Sequence, residues 1–207
     1  RNQGIEFQLN AALINKRDFR WSINFNTGFN VNKIRSLSSG LDYYYENSGW
    51  GISSQLPDYI VKVGEPVGSM YGFVTDGFYR PEDFNYDPST QIYTLKEGQP
   101  DNTSVVGIPQ PGALKFKDLD GDNVITAEKD QRVIGNANPK FTGGIFQQFT
   151  YKQFDLSVFL NFSVGNDILN ANKIEFTNGY NQSTNMLSMM NGRWSNIDEN
   201  GNYLVEL

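Results

Sequence analysis

The chain has 207 residues, and its 17 basic and 23 acidic side chains give a formal charge of −6. It contains neither histidine nor cysteine, which excludes an imidazole base, a thiolate nucleophile, a disulfide and a zinc site built from these residues. An acidic chain also disfavours nucleic acid as a partner, and no apolar run reaches the roughly 20 residues that a membrane-spanning helix needs.

The first predicted element is a pair of strands at the start of the chain. Apolar and polar residues alternate from 4 to 13, and they alternate again from 19 to 32 after a polar turn at 15–18. This period is typical of a strand with two unlike faces, because successive side chains point to opposite sides. Residues 1–34 are therefore predicted to form a hairpin.

Residues 35–140 are predicted to be a long connection with short elements of its own. Aromatic side chains cluster in its first part, among glycine and serine: Tyr43, Tyr44, Tyr45 and Trp50. Such side chains stack on sugar rings or on another protein, and they also pack on one another within a loop. The stretch 64–79 predicts one or two strands, whereas the polar stretch 83–103 predicts an exposed loop.

An acidic loop near the end of this connection has the spacing of a calcium-binding loop. Asp118, Asp120 and Asp122 occupy its first, third and fifth positions, and the carbonyl of Val124 falls at the seventh. Calcium takes hard oxygen donors and needs neither histidine nor cysteine. The spacing therefore indicates a calcium site, and an acidic turn without a metal is the alternative.

The loop departs from the calcium-binding pattern at two positions. Lys129 stands at the twelfth position, where a closing carboxylate is usual, so Asp130 or Glu128 has to close the site. Asn123 stands where glycine is usual, and asparagine tolerates the left-handed backbone that this position needs. A catalytic role is disfavoured, because the two carboxylates of a glycosidase lie about 5 to 9 Å apart across a cleft. The chain is predicted not to be an enzyme.

Residues 141–170 are predicted to form a second hairpin with a short turn at 152–153, and 171–207 a loop with room for one further strand. The four clear strands run about 10 to 13 residues, longer than the 5 to 6 typical of soluble sheets. Their length is similar to that of a strand that crosses a bilayer at a tilt. The side chains opposite the apolar rows are mostly Asn, Ser, Gln and Thr, which is typical of a barrel lumen.

These patterns leave two architectures open. The apolar rows fit the lipid-facing side of a transmembrane barrel, and they fit equally the inner face of a soluble β-sandwich. A bacterial barrel needs at least about eight strands. In the barrel interpretation, the chain is therefore a segment of a longer polypeptide.

Four stretches in succession resemble the SusC/RagA family of TonB-dependent outer-membrane transporters. They are GIEFQLNAALINKRDFRWSINFNTGFNVNKI, VGEPVGSMYGFVTDGFY, PGALKFKDLDGDNVITAEKDQRVIGNANPKFTGG and FQQFTYKQFDLSVFLNFSVGNDILN. The resemblance covers nearly the whole chain. It covers only a minor part of the family's architecture, without the N-terminal plug, the TonB box or the closing strands.

The resemblance implies an all-β fold, in which the chain supplies antiparallel strands of a transmembrane β-barrel of about 22 strands with long extracellular loops. The connection 35–140 is then extracellular, and the short turns face the periplasm. The resemblance also implies import of glycans or peptides across the outer membrane of a gram-negative bacterium. The implied partners are outer-membrane lipid, a SusD-like surface lipoprotein, and TonB, ExbB and ExbD acting through the plug.

The residues and the resemblance together predict two sets of site residues. The first set rests on the spacing described above and on the acidic loop that members of the family carry at this position. The predicted calcium ligands are Asp118, Asp120, Asp122, Val124 through its carbonyl, and Asp130. The predicted substrate or partner contacts, on aromatic stacking alone, are Tyr43, Tyr44, Tyr45 and Trp50. The alternative from a different functional class is a soluble calcium-stabilised carbohydrate-binding β-sandwich that uses the aromatic stretch as its platform.

Overall fold

The computed structural model describes residues 1–49, 57–177, 179, 183–198 and 200–204. Its strands are β1 (Asn2–Asn15), β2 (Phe19–Asn32), β3 (Tyr43–Glu46), β4 (Tyr59–Lys62), β5 (Ser69–Phe73), β6 (Thr75–Phe78), β7 (Phe84–Asp87), β8 (Ile92–Leu95), β9 (Leu114–Phe116), β10 (Gln131–Asn136), β11 (Phe141–Tyr151) and β12 (Phe154–Val164). The helices are α1 (Thr103–Val106), α2 (Ala171–Glu175) and 3-10 turns at Ser38–Gly40, Pro81–Asp83 and Ser188–Gly192. The all-β antiparallel fold class is confirmed. In the part of the chain that is described, no helix has the length and apolar character to span a membrane.

Contacts divide the chain into two compact units. The first holds residues 1–46, 58–70 and 135–169, and the second holds the described residues of 47–57, 71–134 and 170–207. The stretch 35–140, which the sequence predicts to be one connection, therefore contributes to both units.

A four-stranded sheet with the order β1-β2-β11-β12 dominates the first unit. β1 and β2 are 14 residues long, and β11 and β12 are 11 residues long. The turns within the two hairpins lie at one end of the sheet, where the Lys152 N–H donates to the Asp18 carbonyl at 3.0 Å. Lys152 takes a left-handed φ of 52°, which allows the second turn to be short.

The register of the sheet puts all the apolar rows on one side. Phe25 pairs with Leu9 on one flank and with Ile145 on the other, and Ile145 pairs with Leu160. We call this side the apolar face; its members include Ile5, Phe7, Leu9, Ala11, Trp21, Ile23, Phe25, Phe29, Phe141, Gly143, Ile145, Phe149, Leu156, Val158, Leu160 and Phe162. The polar face on the opposite side includes Glu6, Gln8, Asn10, Arg20, Ser22, Asn24, Asn26, Gln148, Asp155, Ser157, Asn161 and Ser163.

Much of the apolar face is open in the structure. Ile5 is 75% exposed and Leu160 is 54% exposed. Among the residues that the structure describes, the buried apolar ones are Ile60, Met70, Tyr79, Phe84 and Ile125, all of which lie outside the long sheet. The long sheet therefore does not use its apolar face to build the core of the described chain.

Aromatic rings hold the apolar face together across the strands. The ring of Phe162 lies 6.4 Å from that of Phe25, 6.1 Å from that of Phe141, and directly over Gly143. Near the hairpin turns, Trp21 stacks on Phe149 at 5.5 Å. Because Gly143 has no side chain, the Phe162 ring can cross β11 and reach β2.

The remaining sheets are short. One has the order β10-β5-β4-β3, and β6-β9 and β7-β8 form two-stranded sheets. β5 and β6 confirm the strands predicted within 64–79.

The prediction of an exposed loop at 83–103 is wrong. β7 and β8 form a hairpin there, Phe84 is buried, and Tyr86 packs on Tyr93 at 4.5 Å. Each strand has only four residues, which is too short for its alternation to stand out in the sequence.

The core of the second unit surrounds a buried tyrosine. Tyr79 is fully buried beside Phe84, and its hydroxyl donates to the Pro100 carbonyl. Burial raises the pKa of Tyr79 to about 12, so the hydroxyl keeps its proton. Two residues after Pro100, Asn102 is fully buried and its Nδ2 donates to the Leu114 carbonyl at 2.8 Å. This core positions the segment that leads into the acidic loop.

Replacing Gly143 by alanine is expected to destabilise the long sheet. A Cβ there would overlap the Asn26 carbonyl oxygen and lie 2.6 Å from Phe162 Cζ. Overpacking of this kind costs about 1 to 3 kcal/mol, measurable as a lower free energy of unfolding in urea. Gly28→Ala is the matched control, because its Cβ would meet only Glu6 Cγ, at 3.6 Å. Equal stability of the two variants would contradict the prediction.

Candidate metal centre

The acidic loop lies between β9 and β10 and is wound by aspartate side chains that accept backbone hydrogen bonds. Asp118 Oδ1 accepts from the Gly121 N–H, and its Oδ2 accepts from the Asn123 N–H, both at 2.7 Å. Gly121 has a φ of 82° and Asn123 a φ of 62°. The expected left-handed backbone at Asn123 is therefore confirmed.

Asp130 closes the loop from its far end. The side chain is fully buried, with Oδ1 accepting from the Leu119 N–H at 2.9 Å and Oδ2 from the Thr126 N–H at 2.8 Å. Next to it, the fully buried Ile125 donates its N–H to the Asp101 carbonyl at 2.9 Å. A buried carboxylate and a buried isoleucine thus anchor an otherwise exposed loop.

Three of the predicted ligands converge. Within the described residues, Asp118, Asp120 and Asp130 each bring one carboxylate oxygen within 4.8 Å of the others. Asp130 rather than the exposed Glu128 is the residue that joins the first and third positions. Three hard oxygen donors at this separation suit Ca²⁺, which completes its shell of six to eight oxygens with carbonyls and water.

The other two predicted ligands have a different environment. Asp122 Oδ1 accepts from the Val124 N–H at 2.9 Å, and its Oδ2 pairs with Lys129 Nζ at 2.5 Å. The Val124 side chain is exposed, and its backbone bridges to Asp101. Asp122 is therefore not part of the three-carboxylate cluster.

Lys129 is a site residue that the sequence pattern did not identify as an ion-pair partner of the aspartates. Its ammonium lies 3.0 Å from Asp120 Oδ2 as well as 2.5 Å from Asp122 Oδ2. The sequence signal for these contacts is that Lys129 occupies the twelfth position of the loop, and the loop folds this position back toward the third and fifth. A cation supplied by the chain thus neutralises part of the acidic cluster.

These contacts shift the ionisation of the loop. The hydrogen bond from the Asn123 N–H holds the pKa of Asp118 below its usual 3.8. The hydrogen bond from Lys129 holds the pKa of Asp122 below its usual 3.8, and the same bond raises the pKa of Lys129. Both carboxylates therefore stay ionised down to acid pH.

The predicted aromatic contacts lie in the first unit, where Tyr43, Tyr44 and Tyr45 form most of β3. Tyr43 and Tyr45 share one side of the strand with their rings 5.3 Å apart, and Tyr44 points to the other side. All three are exposed by more than two fifths, whereas Trp50 lies outside the described residues. The structure thus brings two of the predicted residues together.

The loop is expected to loosen at acid pH. A carboxylate whose pKa is lowered in the folded state stabilises the fold at pH values above its usual pKa. This stabilisation is lost as the pH falls through the lowered pKa. Amide exchange of residues 118–130, corrected for intrinsic rates, should therefore rise from about pH 5 to about pH 2. Asp122→Asn should reduce this rise and Asp76→Asn, outside the loop, should not. Identical acid profiles for both variants would contradict the prediction.

Comparison of the sequence with known proteins identifies relatives but no matching family model. The chain is 34% identical over 200 residues to TonB-dependent receptor P3 of Formosa agariphila, a match that covers 96% of the chain and 18% of that receptor. It is 27% identical over 168 residues to TonB-dependent receptor SusC of Bacteroides thetaiotaomicron, covering 80% of the chain and 14% of SusC. The chain spans less than a fifth of the length of these relatives.

The fold has solved counterparts. The structure of the RagAB peptide transporter matches 94% of this chain and 18% of the transporter chain, with a TM-score of 0.60 at 21% identity. At that identity, the match speaks for the fold alone. Together, the sequence matches and the shared fold identify the chain as a segment of a TonB-dependent receptor of the SusC/RagA type.

Proposed function

We propose that the chain forms part of the barrel wall and extracellular loops of a SusC-like transporter in the outer membrane of a gram-negative bacterium. The transporter imports glycans or peptides together with a SusD-like surface lipoprotein, and TonB, ExbB and ExbD energise it through a plug. The single observation that carries this proposal is the long sheet with one continuous, exposed apolar face.

The dimensions of this sheet support a membrane position. A transmembrane strand needs about 9 to 11 residues when tilted, and the strands here have 11 and 14 residues. Phe7 and Leu160 on the apolar face are each 54% exposed. Exposed apolar side chains of this kind are stabilised by lipid and not by water. Short turns at one end and long connections at the other match the periplasmic and extracellular ends of such barrels.

The polar face supports a lumen on the other side. Asn10, Asn24 and Asn161 lie in its middle, and the charged Arg20 and Asp155 lie near the turns. Uncharged amides suit a channel that passes polar cargo. Transport by such a wall involves no bond-making step, so the chain acts in import rather than in catalysis.

The soluble calcium-stabilised carbohydrate-binding β-sandwich has less support. In a sandwich, the inner faces of two sheets pack about 10 Å apart and bury their apolar rows. Here the apolar face of the long sheet stays exposed, and the buried apolar residues lie outside that sheet.

The partners are proposed from the relatives. One similar sequence is SusC, and one similar structure is that of a peptide transporter. Tyr43 and Tyr45, paired and exposed on β3, are the proposed contacts of the first unit with substrate or with the lipoprotein. Trp50 stays a candidate from the sequence alone.

Calcium is proposed as a structural ion of the acidic loop. Asp118, Asp120 and Asp130 supply its carboxylate oxygens, and the carbonyl of Val124 and the carboxylate of Asp122 join them once Lys129 moves away. The observation that favours this proposal is that one carboxylate oxygen of each of the three aspartates lies within 4.8 Å of the other two. The ion would tie the two ends of the loop together.

The lipid-facing side is tested by paired arginine substitutions in the full-length transporter. Leu160→Arg is expected to cost about 2 to 4 kcal/mol, because it puts a charge into the hydrocarbon layer near mid-strand. Asn161→Arg, on the next residue and the polar face, is the matched control and is expected to assemble normally. Folded barrel is measured by its altered mobility in unheated gels. Normal assembly of Leu160→Arg would count against lipid exposure.

Calcium binding is tested by melting temperatures in calcium and in chelator. A ligand that binds only the folded state stabilises it by about 2.7 kcal/mol at 100 times its Kd, so calcium is expected to raise the Tm. Asp120→Asn should abolish this rise in Tm. Lys129→Gln should shift the rise to lower calcium concentrations, because the competing ammonium is gone. Asp76→Asn, outside the loop, should change neither the size of the rise nor the calcium concentration at which it occurs. Equal melting of the unsubstituted transporter with and without calcium would refute a structural ion.

A further inference from the structure

A recess in the second unit combines aromatic and charged side chains. Its volume is about 440 Å³, which lies within the range of small-molecule sites. We call it the Trp194 recess; its lining includes Asp76, Phe78, Arg80, Asp83, Lys115 and Trp194. These residues all belong to the second unit, and none of them lies in the long sheet or in the acidic loop. The recess is therefore distinct from both sites described above.

The indole of Trp194 is held against the backbone at a glycine. Gly112 has a φ of 85°, and a Cβ there would overlap the indole ring. The Gly112 N–H donates to the carbonyl of the fully buried Tyr79 at 2.8 Å. The core of the second unit thus anchors the backbone on which the indole rests. Phe78, the other aromatic residue of the recess, is 45% exposed, so an aromatic surface is open to a ligand.

The charged groups of the recess are only partly engaged. Lys115 Nζ lies 3.8 Å from Asp83 Oδ2, which is too far for a hydrogen bond, although the two side chains are only 18% and 15% exposed. The exposed side chains of Asp76 and Arg80 form no ion pair within the described part of the chain. The recess therefore offers a ligand the donors of Lys115 and Arg80 and the acceptors of Asp76.

These groups together suit a neutral sugar residue. A pyranose ring has apolar C–H faces that pack on aromatic rings, and hydroxyls around its edge that both donate and accept hydrogen bonds. Two carboxylates and two cations give the recess no formal net charge, which does not favour a charged ligand. A lipid chain would leave the charged groups without partners. A peptide meets such a site only through selected side chains, whereas every pyranose carries both an apolar face and surrounding hydroxyls.

We propose that the Trp194 recess binds a neutral sugar residue of a glycan. This inference rests on the proposed function and deepens it, because that function leaves glycans and peptides open. The aromatic rings pack on the apolar face of the sugar, Asp76 accepts hydrogen bonds from its hydroxyls, and Lys115 and Arg80 donate to them. An imported glycan and the glycolipid of the outer membrane share this chemistry, so the test includes both.

The test places one fluorine probe in the recess of the full-length transporter in detergent. 4-Trifluoromethylphenylalanine replaces Phe78 and keeps its aromatic ring, and the fluorine resonance is followed during titration. Tyr203, which is 69% exposed in the same unit and does not line the recess, carries the probe in the matched control. The probes added are neutral hexasaccharides of glucose, xylose, mannose and galactose, a mixture of uncharged hexapeptides, and lipopolysaccharide from the source membrane.

We expect at least one hexasaccharide to shift the resonance at residue 78 saturably and to leave that at residue 203 unchanged. Trp194→Ala and Arg80→Ala should each raise the half-saturating concentration several-fold. Arg80→Ala keeps the test valid if loss of the indole disturbs the unit, because the Arg80 side chain is exposed. A shift with lipopolysaccharide alone would support a sugar site and assign it to the membrane glycolipid.

Three results would overturn the sugar site: a shift with peptides only, no shift with any probe, or half-saturation that neither variant changes. Each of these results leaves the proposed membrane position intact, because that position is tested independently by the assembly of Leu160→Arg. Normal assembly of Leu160→Arg would count against the membrane position, whatever the recess binds.

Discussion

The backbone register between β2 and β11 is the constraint on which the rest of this structure depends. The two strands are separated by the stretch 33–140, and their pairing joins two local hairpins into one sheet. In a sheet, a slip of one residue moves every side chain to the other face. The pairing of Phe25 with Ile145 therefore decides that two apolar rows become one apolar face.

Several contacts support this register at both ends of the sheet. At the short turns, the Lys152 N–H reaches the Asp18 carbonyl. At the other end, Asn32 Oδ1 accepts from the Val67 N–H at 3.0 Å, and Asp167 Oδ2 accepts from the Asn136 N–H at 2.8 Å. In the middle, Gly143 lets the Phe162 ring lie across β11. The same glycine-and-aromatic device recurs on the polar face, where Gly144 lies under Phe159.

The acidic loop illustrates how backbone N–H groups and one lysine can hold a cluster of carboxylates in place. Backbone N–H groups engage Asp118 and Asp130, and Lys129 engages Asp120 and Asp122. The chain therefore supplies its own donors and its own cation. Calcium at the proposed site would have to compete with Lys129 for Asp120, because the lysine ammonium already lies 3.0 Å from that carboxylate.

The sequence by itself determined the two long hairpins, because strict alternation over more than ten residues is a strong local signal. It also determined the acidic loop and the left-handed Asn123, since both depend on residues a few positions apart. The tertiary structure alone decided that β2 pairs with β11, that β7 and β8 form a hairpin around Phe84, and that Lys129 turns back onto two aspartates. It also decided that Tyr44 points away from Tyr43 and Tyr45, and that Phe146 and Phe159 meet on the polar face. The pairing of β2 with β11 joins segments on either side of the long connection, and no local period in the sequence records it. The other contacts are shorter in range, but each depends on the path of the backbone that brings the side chains together, which the pattern of residue types does not determine.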